Sequence, residues 1–200
     1  MAPQRKTFPR LFLARTDPLR LVGAGSVFLR PPGRGDYDSW AALRARSHGF
    51  LAPWEPSWPP DALSRASFRA RIARYSEDWR GDQGYNFFIF RLDETLVGGV
   101  GLSNVRRGVA ETASLGYWIG EPYARNGLMT AALPLVLEFS FDRLRLHRVE
   151  AACLPTNVPS RALLLRTGFT EEGYARRYLL IDGKWQDHLL FGILREDWRR

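Results

Sequence analysis

Residues 115–133, LGYWIGEPYARNGLMTAAL, set an Asn126-Gly127 corner between two stretches of opposite character. LGYWI combines aromatic and β-branched residues, the signature of a strand. The apolar run from Leu128 to Phe141 reads as a helix. A glycine at such a junction lets the backbone approach a ligand closely. The first free N–H groups of the helix then face whatever sits there and favour an anion. The spacing describes a turn able to hold phosphate, with a plain strand-to-helix turn as the alternative reading.

Composition narrows the chemistry. Two hundred residues at 45% hydrophobic content suffice for one core, so one domain over residues 19–200 is expected. No apolar run approaches the length of a membrane span. Residues 1–18 are basic but lack a sustained apolar stretch or a small-residue cleavage site, so a flexible tail is expected rather than a signal peptide. Cys153 is the only cysteine, which excludes an internal disulfide and a cysteine-based metal cluster. No metal is expected, and a cytoplasmic location fits. The net charge of +8 is carried almost wholly by arginine, since Lys6 and Lys184 are the only lysines. Arginine grips phosphate bidentately, so nucleic acid, acidic proteins and phosphate-bearing cofactors are all admissible partners, although most of these arginines are expected simply to cover the surface. Neither zinc-finger spacing nor an RNA-binding aromatic pattern is present.

The elements that must position this turn follow from punctuation and periodicity. Residues 27–32 read as a first strand ended by two prolines. Asp36 is expected to cap a helix to about residue 47, with Trp40, Ala41 and Leu43 on its apolar face. Segment 48–60, HGFLAPWEPSWPP, holds four prolines and two tryptophans and is expected to be irregular. Asp61 is expected to cap a second helix to about residue 79. Strands follow at 85–92 and 95–105, then one ending at Ile119. The helix at 127–142 contains Pro134, which should kink it or cost it a hydrogen bond. A strand at 147–154, a short helix at 159–166 ended by Gly168, and a hairpin of 169–181 with 184–194 complete the order β-α-α-β-β-β-α-β-α-β-β, a mixed α/β sheet.

Three segments resemble the GNAT acetyltransferase superfamily. GYWIGEPYARNGLMTAAL is similar to its acetyl-CoA loop, whose loose pattern Gln/Arg-x-x-Gly-x-Gly/Ala falls here on residues 124–129 and is matched at Gly127 alone. HRVEAACLPTNVPSRALLLRTGF, 147–169, is similar to the family's strand, Asn-x-x-Ser and Gly-Phe region. EEGYARRYLLIDGKWQDHLLFGIL, 171–194, and HGFLAPWEP, 48–56, look like the RimJ/RimL branch, which acetylates the N-terminal alanine of a small-subunit ribosomal protein. The resemblance implies a mostly antiparallel central sheet of about seven strands with one splayed pair, flanked by about four helices.

It also implies roles. Backbone groups of Arg125, Asn126, Gly127, Leu128, Met129 and Thr130 would hold the acetyl-CoA pyrophosphate, with Arg125 adding charge. Tyr117, Trp118 and Ile119 would offer backbone hydrogen bonds to the pantetheine arm and an N–H to the oxyanion. Asn157 would reach the same arm, or only cap a helix. Many members carry a tyrosine acid four residues before the Gly-Phe glycine. That position is Leu164 here, so Ser160, Tyr178 or solvent must protonate CoA. Glu111, Glu55 and His188 are candidate bases or water-positioning groups. A base is dispensable where the acceptor is an α-amine, partly neutral near pH 8. Trp54, Glu55 and Trp58 would line one wall of the acceptor groove, and Tyr174, Tyr178, Asp187 and His188 the other.

The expected activity is acetyl-CoA-dependent N-acetylation of a protein or peptide N-terminus, that of a ribosomal protein foremost, by direct attack of the amine on the thioester. The ribosome is a further candidate partner and no membrane is expected. A small-amine or antibiotic acetyltransferase, or a non-catalytic ribosome- or RNA-binding module, remain alternatives. Monomer and homodimer are both open.

Overall fold

The computed structural model describes residues 19–23 and 25–198, so the expected tail at 1–18 lies outside the described residues. Strands β1 (Leu21–Val22) and β2 (Val27–Arg30) lead into helices α1 (Tyr37–Arg46), α2 (His48–Leu51) and α3 (Arg65–Arg80). Strands β3 (Tyr85–Arg91), β4 (Leu96–Arg106) and β5 (Thr112–Ile119) follow, then α4 (Leu128–Glu138), β6 (Arg148–Cys153), α5 (Val158–Arg166), β7 (Thr170–Ile181) and β8 (Lys184–Leu194). The eight strands form one sheet in the order β1-β2-β3-β4-β5-β6-β8-β7. Every neighbouring pair is antiparallel except β5 with β6.

Alternation along the strands builds a core on each face. Phe28, Phe88 and Phe90 point to one side, where Trp40 and Leu43 of α1 and Phe68 and Ile72 of α3 cover them. Val27, Leu29, Phe87 and Ile89 point to the other, against Leu133, Val136 and Leu137 of α4 and Leu164 of α5. The sheet is thus a middle layer between two sets of helices.

The parallel pair is where the sheet opens. Its register runs only from Thr112↔Arg148 to Leu115↔Ala151. Beyond that, β5 continues on β4 through Ile119, and β6 continues on β8 through Cys153. Among the described residues, Gly116, Tyr117, Trp118 and Ile119 therefore have no strand partner on the β6 side. The splayed pair implied by the resemblance is present, and α4 and α5 each begin past its open end.

Several details differ from the expectations. The sheet gains an eighth strand because the two-residue β1 pairs with β2. Segment 48–60 is not wholly irregular: α2 closes one turn before the first proline, and Pro53 sits near the start of a 3-10 turn, Ala52–Trp54. A proline there removes an N–H that would go unbonded in any case. Asp36 precedes α1 but does not cap it through its side chain. Its carboxylate accepts instead from Arg30, at 2.8 and 2.6 Å, and from the Gly33 N–H. Helix α3 is capped by Ser64, whose Oγ accepts from the Ser67 N–H at 3.1 Å, while Asp61 accepts from the Ser67 hydroxyl. Helix α4 runs through Pro134, which deprives the Thr130 carbonyl of its usual donor. At residue 139 it widens into a π turn, Phe139–Arg143, where the buried Ser140 hydroxyl donates to the Val136 carbonyl at 2.7 Å.

Candidate active site

The Asn126-Gly127 corner takes the form that the sequence describes. Arg125 and Gly127 both lie in the left-handed region, at φ 62° and 73°, so the chain folds into a concave turn immediately before α4. Gly127, the residue before the helix, has no side chain to cap it, which leaves the first N–H groups of α4 uncapped among the described residues. Arg125, Asn126 and Gly127 are exposed, whereas Leu128 and Met129 turn into the core and anchor the turn from below. Exposed donors on a rigid buried base suit a pyrophosphate.

The strands feeding this corner place the remaining groups. Asn157 caps α5: its Oδ1 accepts from the Ser160 N–H at 3.1 Å. That pins Ser160 in the first turn, at the open end of the splay. The Ser160 hydroxyl lies 2.8 Å from the Tyr117 hydroxyl, bridging α5 to β5. Burial pushes the Tyr117 phenol up to about 12, an effect tempered by this hydrogen bond. Cys153, at the end of β6, is only 5% exposed, and burial raises its thiol above the ordinary value. Its burial disfavours the thiolate that a nucleophilic role needs.

On the opposite face of the sheet lies a groove of about 450 Å³. Its floor is made by strands that lack side chains where they face it: Gly99, Gly101 and Gly116. A Cβ on Gly99 would sit 2.5 Å from the Trp118 indole nitrogen, and one on Gly101 would sit 2.4 Å from Asn86 Oδ1. These glycines make room for the groove's own side chains. Arg44, Glu55 and Trp58 form a wall. Arg44 donates to both Glu55 oxygens, at 2.7 and 2.5 Å, and Trp58 Nε1 donates to Glu55 at 2.9 Å. The Arg44 guanidinium lies between the Trp58 and Trp118 rings, at 4.2 and 4.8 Å from their centres. Gly116, Tyr117 and Trp118 line the groove as well as the splay, so the two openings meet at β5.

The remaining sequence candidates are distributed unevenly. Glu55 and Trp58 line the groove, while Trp54 sits in the preceding 3-10 turn and is absent from the lining. Tyr174 donates to Asp187, which also accepts from the Arg177 N–H, on the exposed face of the last hairpin. Those bonds hold the Asp187 carboxyl below the usual carboxylate range. His188 is 2% exposed, with Nδ1 3.0 Å from the Gln186 carbonyl and its ring against Tyr178. None of these four lines the groove, but the hairpin turn approaches it: the Asp182 N–H donates to the Glu55 carbonyl at 3.0 Å. Glu111 does not begin β5. It precedes the strand at φ 44° and accepts from Arg107 and the Gly108 N–H. Six extended residues, roughly 20 Å, separate it from Tyr117, so the fold does not bring it to the splay.

The sequence reading missed Arg44, Asn86 and the hydroxyl of Tyr117. The glycines of GGVG carried a usable signal, because glycine inside a strand marks a close approach. Arg44 had none, being one arginine among many on a polar helix.

The structure thus joins a cleft between parted parallel strands, a turn with exposed N–H groups before one helix and a serine at the start of the next. Residues 26–170 match the model of the acetyltransferase (GNAT) domain, and the chain belongs to the GNAT acetyltransferase family. It is an N-acetyltransferase of the RimJ/RimL type. Over 166 residues it is 37% identical to the ribosomal protein uS5-alanine N-acetyltransferase of Escherichia coli (strain K12), spanning 82% of this chain and 86% of that one. Mycobacterium smegmatis RimJ, solved in complex with CoA-disulfide, is 36% identical, with a TM-score of 0.84 over 90% of this chain and 88% of that one. The ribosomal-protein-S5-alanine acetyltransferase from Vibrio fischeri is 27% identical, with a TM-score of 0.83 over 91% and 100%.

Proposed function

We propose that this chain transfers acetyl from acetyl-CoA to the N-terminal amine of a protein, the N-terminal alanine of a small-subunit ribosomal protein being the acceptor. The observation that carries this reading is the meeting of two openings, the gap between β5 and β6 and the groove, at Gly116, Tyr117 and Trp118. Donor and acceptor can enter by these separate openings and react without a covalent enzyme intermediate. The choice of acceptor rests on similarity to the uS5-alanine enzyme across most of both chains.

Acetyl-CoA supplies the activated acetyl group. The turn from Arg125 to Thr130 binds the pyrophosphate through backbone N–H groups, and Arg125 adds charge. The free edge of β5, Gly116 to Ile119, hydrogen-bonds the pantetheine arm and polarises the acetyl carbonyl. Ser160 protonates the departing sulfur. In the groove, Glu55 receives the cationic N-terminus, beside the Trp58 and Trp118 rings that hold Arg44. An α-amine near its own pKa, about 8, attacks as the neutral form without a strong base, so Glu111 has no part in the transfer. The turn of the last hairpin, at Asp182, borders the groove and meets the body of the acceptor.

CoA release measured with peptides that begin in Ala, Ser or Met, beside a panel of small amines, tests this. Ala-initiated peptides should show the highest kcat/KM. Turnover confined to small amines would overturn the acceptor assignment, and CoA binding without any transfer would overturn the enzymatic reading.

A further inference from the structure

A serine hydroxyl rotates, and its one hydrogen points wherever an acceptor is offered. The Asn157 cap fixes the backbone of Ser160 but leaves the hydroxyl free to turn. The Cys153 thiol lies beside it and competes for its hydrogen. Leu164, one turn further along α5 and fully buried, offers no proton. Among the described residues, Tyr117 is the side chain that hydrogen-bonds the Ser160 hydroxyl. Its ring is packed against the core on the α4 and α5 side, and its hydroxyl is 2.8 Å from Ser160 Oγ. Burial keeps this phenol protonated throughout the physiological range, so it is always able to donate.

We propose that Tyr117 is a positioning residue for acetyl transfer: its O–H donates to Ser160 Oγ and so directs the single Ser160 hydrogen into the gap between β5 and β6, where the sulfur leaves. This rests on the reading of Ser160 as the proton donor. The reverse orientation, with Ser160 donating to Tyr117, would aim the proton away from the gap. The step balances along the same line of atoms. The amine nitrogen bonds the acetyl carbon, the C–S bond breaks and its electron pair stays on sulfur. Sulfur takes the Ser160 proton, Ser160 takes the Tyr117 proton, and the phenolate regains one from solvent. The nitrogen releases its own proton to solvent.

Single-turnover rates with any amine that the enzyme accepts provide the test. Ser160→Ala should slow transfer about 100-fold, the range of a positioned acid, and Tyr117→Phe about tenfold, with KM for acetyl-CoA and acceptor unchanged. Because the two act as a unit, the double variant should be no slower than Ser160→Ala alone. A purely structural Tyr117 would instead add its loss to that of Ser160→Ala, which would overturn the proposal, as would unchanged rates in Tyr117→Phe. Should Tyr117→Phe fail to fold, a proton inventory on the unaltered enzyme in mixed H2O and D2O decides: a bowed plot shows two protons moving together, and a linear plot or no effect overturns the relay. Unchanged rates in Ser160→Ala would reject the underlying role of Ser160, a result separable from failure of Tyr117→Phe alone. The identity of the best acceptor touches neither.

Discussion

Glu55 is held by three bonds before any substrate arrives, two from Arg44 and one from Trp58. An anion neutralised by a guanidinium is a moderate attractor, which under the proposed function suits a protein N-terminus that must afterwards leave. Both partners are largely buried, with side chains 11% and 21% exposed for Arg44 and Glu55. Removing one charge strands the other, at a cost of roughly 3 kcal/mol. Glu55→Gln should therefore lower the unfolding midpoint and raise the acceptor KM while leaving the acetyl-CoA KM unchanged, measured by thermal melts and initial rates. An unchanged acceptor KM would reduce Glu55 to a structural anchor. At this scale the sequence revealed only part of the candidate site. Ser160, Asn157 and Glu55 stood out through resemblance and loop placement. Arg44 and the Tyr117 hydroxyl did not, because contacts between distant segments depend on which helix crosses which strand, and no local pattern encodes that.

Elements create the two openings. Strand β5 serves both, since alternation sends Tyr117 toward α5 and Trp118 toward α1. The splay itself leaves no mark on composition: residues 112–119 read as one strand, and the parting at Leu115 arises from how β6 and β8 continue without them. The Asn126-Gly127 corner was legible, because a left-handed position before a helix favours glycine and the apolar run behind it is unmistakable. The single turn of α2 was hidden by the prolines that follow it. Gly127, at φ 73° with open space around its Cα, gives the prediction for this scale. Gly127→Ala should destabilise by about 1 kcal/mol through backbone strain alone and raise the KM for acetyl-CoA severalfold, with the acceptor KM unaffected. Thermal melts and initial rates varied in each substrate would check both effects.

For the whole molecule, the groove and the gap beside β6 meet at β5, where the proposed function would bring donor and acceptor together. Fold class was readable from the order of elements and from alternation in YNFFIFR, which sends successive aromatics into two different cores. What the element order could not supply was the groove. It depends on glycines of β4 facing the Trp58 segment across the sheet, a long-range juxtaposition with no local signature. The +8 charge suits partners rich in phosphate or carboxylate. The central claim is that both substrates occupy the site together, with the buried Cys153 taking no acetyl group. Initial rates measured with acetyl-CoA and an Ala-initiated peptide varied together test this most directly. Double-reciprocal plots should intersect, as direct attack in a ternary complex requires; parallel lines, the mark of an acetylated enzyme intermediate, would contradict the account.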